Sequence, residues 1–236
     1  GLVGLSLAPF AWMATLPVMG YVVGGALSTP LVARTQSRYG RRTSFQIGLA
    51  VAFASTCAAA WAVADKNFWL LVAATVVAGY YSANGQLYRF AAAELVPVPQ
   101  RERAVSLVLA GGLLGAIAGP NLAARSRSLL DVPFAGAYVV LAGVALLAMV
   151  LMAFVRFPPH VSASAGASSG RPLSEIMRQP VFVVACISAA LGYGVMNLLM
   201  AATPLAMQQC GLSFDDAALV LEWHVIGMFA PGFFTG

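Results

Sequence analysis

Lysine is almost missing from this chain: Lys66 is the only one among 13 Lys and Arg residues. Charge of either sign is scarce as well, at 9% of 236 residues, against about 25% in an ordinary soluble domain. So few charges cannot give a globule of this size a polar skin, which excludes a soluble enzyme, a disordered tail and a secreted disulfide scaffold together. Cysteine is sparse too. Cys57, Cys186 and Cys210 stand apart with no CxxC pair, so neither a metal centre nor a disulfide framework is expected. HExxH, GxSxG and a Gly-rich GK[ST] loop are all absent, and a membrane enzyme built on those motifs falls away.

What the chain has in excess is apolar: 60% of it is hydrophobic, with a mean hydropathy of +0.84. A helix needs about 20 mainly apolar residues to cross a bilayer. Reading between charges gives spans at Trp12 to Ala33, Thr43 to Ala64, Phe68 to about Tyr88 and Ala104 to Ala124. Pro133 to Val155, Val181 to Met207 and Ala217 to Gly236 follow. Gly1 to Ala8 is apolar but covers less than half a bilayer, and reads as the end of a span. The expectation is an all-α, polytopic helical bundle holding the end of span one, spans two to seven and most of span eight.

Arginines decide the orientation. Alternate loops carry Arg34, Arg38, Arg41, Arg42, Arg89, Arg101, Arg103, Arg156, Arg171 and Arg178, whereas the opposite set holds only Lys66, Arg125 and Arg127. That asymmetry places the first set in the cytoplasm. Clusters dispersed between apolar runs suit topology better than a polyanion site, so no nucleic acid partner is expected despite the net charge of +5. The longest non-apolar stretch, Arg156 to Pro180, contains Pro158-Pro159 and small flexible residues from Ser162 to Gly170, the composition of a linker. It divides the chain into 1–155, the linker 156–180, and 181–236.

The loop between spans two and three reads Ala33-Arg-Thr-Gln-Ser37-Arg38-Tyr-Gly40-Arg41-Arg42. It resembles the GxxxDRxGRR loop of the major facilitator superfamily, in the same topological position. Arg38, Gly40, Arg41 and Arg42 match, while Ala33 and Ser37 replace the leading Gly and the acid. In the family these groups latch two halves together on the cytoplasmic side, so the resemblance gives Arg38, Gly40, Arg41 and Arg42 a gating role. The physical logic is a turn at Gly with cations near helix C-termini, where carbonyl ends are partly negative. In span five, Gly112, Gly115, Gly119 and Pro120 resemble a GxxxGP motif of antiporters in that superfamily; close helix packing explains the glycines equally. Arg89 to Glu94 and Trp223 to Gly236 also resemble a bacterial branch. The resemblance implies two six-span halves built from inverted repeats, of which this chain holds nearly all of the first and the start of the second.

Polar groups inside spans are costly and usually face a cavity or a partner helix. In the fourth span Tyr81, Asn84 and Tyr88 line one stripe; Ser82, Gln86 and Arg89 line the next. Val72, Val76, Ala83, Leu87 and Phe90 form the remaining face, suited to lipid. Tyr81, Asn84, Tyr88 and Arg89 are therefore cavity-lining candidates, with interfacial snorkelling the other reading for Tyr88 and Arg89. In the seventh span Tyr193, Asn197 and Met200 share a face with Pro204. These groups suit a semi-polar organic solute, or packing between helices. Span eight opens on the cap Ser213-Phe-Asp-Asp216, and Glu222 and His224 follow on nearly opposite faces. Either suits proton coupling; solvation or a helix–helix bond is the plain alternative. Gly20 and Gly24 read as close packing.

These observations lead to a secondary active transporter in the bacterial cytoplasmic membrane. It would act as a monomer without cofactor or metal, moving a small organic solute by alternating access with proton coupling. The other readings are a drug or metabolite efflux antiporter of the same superfamily and a non-transporting membrane scaffold or receptor.

Overall fold

A computed structural model describes residues 2–157 and 173–230. The linker reading therefore lies mostly outside the described residues, as do Arg171 and the last part of span eight from Pro231. Every regular element among the described residues is helical. They are α1 (Leu2–Leu7), α2 (Leu16–Ala64), α3 (Phe68–Gly85), α4 (Tyr88–Glu94) and α5 (Arg101–Ser126), followed by α6 (Ala135–Phe154), α7 (Leu173–Met177), α8 (Pro180–Gln209) and α9 (Phe214–Phe229).

The expected second and third spans form one 49-residue helical element, α2, broken by a kink at Gly40. A straight helix of that length would run about 73 Å, more than twice the hydrocarbon core. Gly40 adopts φ 78° and ψ 174°, a conformation essentially reserved for glycine. The chain turns there, and each arm, 16–39 and 41–64, is long enough to cross the bilayer once. The α2 region, α5, α6 and α8 all contain windows long and apolar enough to cross a membrane.

The fourth span differs from its expected extent to Tyr88. α3 starts where the Asn67 side chain accepts a hydrogen bond from the Leu70 N–H at 3.0 Å. It ends at Gly85, and Tyr88 and Arg89 sit on the separate short helix α4. Glycine is a poor helix former because it loses the most backbone freedom on ordering. The stripe Tyr81–Asn84–Tyr88 is thus not a single helical face.

α3 packs into the crook of α2, and small residues set the distance. A Cβ on Gly24 would lie 2.0 Å from the Val76 carbonyl oxygen, and one on Gly79 would lie 2.2 Å from the Gly25 nitrogen. Gly20 faces the Val76 side chain at 3.1 Å. The two backbones are in contact, which is how small residues let membrane helices associate by dispersion. Val72 and Val76 therefore face α2, not lipid as the face assignment expected; Trp69 and Val77 point outward, 60% and 53% exposed.

A small core of Ala59, Ala62, Val63, Leu71, Ala74 and Ala135 closes the α2–α3–α6 junction at the end away from Gly40. Elsewhere the molecule is apolar on its outside. Along α8, Val181 is 82% exposed and Leu198 is 65% exposed. Such a face is stable only where the surrounding medium is itself apolar.

Candidate functional site

At the Arg-rich end, the Gly40 turn presents Arg41 and Arg42 in different directions. Arg41 grips Glu94 at the end of α4 with two prongs, Nε to Oε2 at 3.1 Å and Nη2 to Oε1 at 2.6 Å. It also donates to the Gln36 side-chain oxygen across the turn. Arg42 donates to the Ala153 carbonyl at 2.7 Å, and Gln46 to the Met149 carbonyl at 2.9 Å. The Ala153 carbonyl belongs to the last turn of α6, where a cation satisfies the helix end, and Met149 lies further in. Arg38 is exposed beside the Tyr39 ring, and the Ser37 hydroxyl donates to the Arg34 carbonyl at 3.0 Å. Among the described residues, these partners of Arg41 and Arg42 (Gln36, Glu94 and Ala153) all belong to the 1–155 part. The Arg41 guanidinium holds the Glu94 carboxyl below the usual carboxylate range, against a smaller opposing effect of partial burial.

Glu94 was visible in the sequence as part of the Arg89–Glu94 stretch, yet nothing in its spacing marked it as the partner of Arg41. An acid 53 positions away becomes a neighbour only when α3 and α4 fold back on α2.

Directly above the turn, four polar side chains form a closed network. Ser44 Oγ donates to Asn84 Oδ1 at 3.0 Å, Thr35 Oγ1 lies 3.2 Å from Ser44 Oγ, and it lies 2.9 Å from the Tyr80 hydroxyl. Ser44 and Asn84 are fully buried. Asn84 thus sits against Gly48, whose added Cβ would lie 3.1 Å from the Asn84 side chain. The network joins both arms of α2 to α3.

The tyrosines lie differently. Tyr88 stands edge-on to the Phe45 ring at 4.7 Å, and its hydroxyl is buried with no hydrogen-bond partner among the described residues. Tyr81 lies within electrostatic reach of Tyr88 on one side and of Tyr21 on the other. Tyr21 lies beside Ser82 and within reach of Tyr193 on α8. No ring contact or hydrogen bond joins these tyrosines to one another among the described residues; Tyr81 and Tyr88 follow one another on α3 and α4, while Tyr193 lies on α8. Tyr21 escaped the sequence reading because its neighbours at helical spacing, Pro17, Val18, Gly24 and Gly25, are all apolar. Arg89 is exposed and lies over the adjacent Phe90 ring. The Asn197 side chain donates to the Tyr193 carbonyl of its own helix at 2.9 Å, and Met200 is half-buried.

α5 and α9 run side by side. The Asn121 side chain donates to Glu222 Oε2 at 3.0 Å, and Phe229 approaches the Gly112 position to 3.6 Å. Gly115 and Gly119 have no described atom within 4 Å of an added Cβ, so the close approach expected along the whole stripe occurs only at Gly112. Pro120 lies inside α5, half-buried. His224 does not meet Glu222; its Nε2 is buried without a partner among the described residues. A cleft of about 480 Å³ near the Gly40 turn is lined by Gln36, Arg41 and Gln86 among others, and by none of the four tyrosines.

The profile of the Major Facilitator Superfamily matches residues 2–236. The chain belongs to that superfamily. The superfamily is one of membrane transporters, which makes this a multi-pass membrane chain and not an enzyme. Over 238 residues it is 38% identical to the riboflavin transporter RfnT of Brucella anthropi, a match that covers 100% of this chain and 60% of the relative. Two uncharacterised transporters of Bacillus subtilis are also similar. YdeG is 27% identical, covering 94% of the chain and 55% of the relative; YddS is 24% identical, covering 95% and 55%. The chain spans a little over half the length of the curated relatives it matches. No solved structure gives a significant match.

Proposed function

We propose that this chain forms the greater part of a secondary transporter that carries riboflavin, or a flat heteroaromatic solute like it, across the bacterial cytoplasmic membrane. The observation that carries the reading is the 38% identity to a riboflavin transporter along the entire chain. Tyr81, Tyr88 and Tyr193, with Tyr21, would supply the aromatic wall of the site. Phenol rings stack on a flat ring system and their hydroxyls pair with its polar edge, which serves a solute that is apolar in body and polar at its rim.

The two halves, 1–155 and the part beginning at 181, rock about this site with the 156–180 linker between them and the Arg-rich end in the cytoplasm. Asn84 acts from behind, holding α3 in place. Asn197 and Met200 complete the wall on α8. Arg38, Gly40, Arg41 and Arg42 set the cytoplasmic end of the cycle. Glu222 and His224 are the ionisable groups within α9 through which a proton gradient would act. The transporter works as a monomer.

The test is growth of a riboflavin-auxotrophic bacterium that lacks its own uptake system, on micromolar riboflavin, with the complete protein expressed. Rescue that an uncoupler abolishes is the expected result. Failure to rescue by correctly inserted protein, with RfnT rescuing in parallel, would overturn the riboflavin reading. The resemblance of Gly112 to Pro120 to an antiporter motif favours one second reading, export in exchange for protons. Inverted vesicles that accumulate the solute on acidification of their interior would select it.

A further inference from the structure

At the end of the molecule opposite the arginine elbow, one contact joins the part before the linker to the part after it by side-chain tips alone. We propose that Phe214 is the gate residue of that end, held shut between Arg127 and Phe134. The proposal rests on the transporter reading for its place in a cycle, and on the following geometry for its existence.

Phe214 is the first residue of α9. Its position is fixed by a capping box in which the Asp216 N–H donates to Ser213 Oγ at 3.1 Å and the Ser213 N–H donates to Asp216 Oδ2 at 3.0 Å. That cap satisfies the first turn of the helix and leaves the ring projecting from a rigid base. The Arg127 guanidinium lies 4.6 Å from the ring centroid, within cation–π distance, and the Phe134 ring lies 5.9 Å away at a tilt.

The two jaws are rigid as well. Phe134 N–H donates to the Arg127 carbonyl at 2.8 Å, and Leu129 N–H to the Ser126 carbonyl at 3.2 Å, which closes the α5–α6 connection into a compact loop. Gly136 lets α6 press against it: a Cβ there would lie 2.4 Å from the Ser126 oxygen. Phe134 itself holds φ 69°, a left-handed conformation that is uncommon for a bulky residue and is maintained only where surroundings over-determine it. The strain aims the aromatic ring at Phe214.

Beside the ring lies a cleft of about 350 Å³ bordered by Arg127, Phe134, Phe214 and Ala217, and by Ser6 and Gln208 from α1 and α8. Ala217, one turn below Phe214 on α9, is 4% exposed. The Asn121–Glu222 bond follows deeper along the same pair of helices. The cation–π contact and the ring contact at Phe214 are each modest and are made by side-chain ends, so they part without disturbing the α5–α9 packing below them. The outer path is shut while they hold, and access from this end requires Phe214 to leave its jaws.

The test uses the complete transporter in proteoliposomes, with Cys57, Cys186 and Cys210 replaced by Ala and a reporter introduced as Ala217→Cys. A membrane-impermeant maleimide is applied from the Arg-poor side. Phe214→Ala and Arg127→Gln should each label about tenfold faster than the parent, whereas Phe214→Trp should label near the parental rate. Unchanged labelling in Phe214→Ala and Arg127→Gln, whatever happens to their thermal stability, would overturn the gate. Should Phe214→Ala fail to fold, Arg127→Gln alone decides, since it leaves both rings in place. Absence of flux for any solute in the parent, with labelling still accelerated in the variants, would remove the transporter reading and leave the gate standing.

Discussion

Two seams of this molecule, α2 against α3 and α5 against α9, join their helices by different means. The first is backbone on backbone. Gly24 and Gly79 bring the two backbones into contact, and the Thr35–Ser44–Asn84–Tyr80 network seals one end of the crossing. The second is made by extended groups, Arg127 with Phe214, Asn121 with Glu222, and Phe229 over Gly112, with Gly115 and Gly119 untouched between them. A glycine seam has one arrangement and nothing to adjust. A seam of side-chain tips can part and close again, because each group finds solvent or another partner when released. The contrast separates a seam fixed by glycine from the seam that the proposed gate would part.

Substituting the glycines tests this most severely. Gly79→Leu drives a side chain into the α2 backbone and should cost at least ~3 kcal/mol, read as lost folded yield in detergent. Gly115→Leu meets open space and should stay within about 0.5 kcal/mol. Equal damage at both sites would erase the distinction. Next in size is the elbow. Gly40→Val forces a branched side chain into φ 78°, at about 1–3 kcal/mol, and should lower the thermal midpoint with the second arm misplaced in topology mapping.

Asparagines compare the seams more gently. Asn84→Ala breaks a buried bond to Ser44 and should cost about 1 kcal/mol. Asn121→Ala frees an exposed bond to Glu222 and should leave the melting curve alone while quickening labelling at Ala217→Cys. The reverse pattern would make α5–α9 the rigid seam.

The smallest effect belongs to Arg41 and Glu94. The folded Glu94 carboxyl ionises below its unfolded value, so the pair contributes its stability at neutral pH. That contribution disappears as pH falls through the lowered folded value. Exposed pairs are worth under about 1 kcal/mol. Glu94→Gln should therefore flatten the acid limb of a stability–pH profile by a small amount, and an unchanged limb would show that the two prongs carry no net stability.

Much of this was legible in the residues. Apolar run lengths announced the helices because a bilayer dictates their span, and Gly40 between Arg38 and Arg41 announced a turn because only glycine takes that backbone. The serine–aspartate cap of α9 was readable for the same local reason. Partners were not. Val76 looked lipid-facing because an apolar residue in a membrane has the same composition signature whether it meets lipid or Gly24. Asn84 looked like a cavity residue because a buried network and a wet cavity both call for a polar group at that depth.

The sequence by itself determined that this chain lives in lipid, roughly how many crossings it makes, and which of its ends is rich in arginine. Those are properties of solvation and local backbone, which each residue carries with it. Only the tertiary structure decided that Glu94 answers Arg41, that Asn84 meets Ser44, and that Phe214 is caught between Arg127 and Phe134. Those pairings span tens of positions, and they arise from how glycine contacts and helix ends orient the elements toward one another.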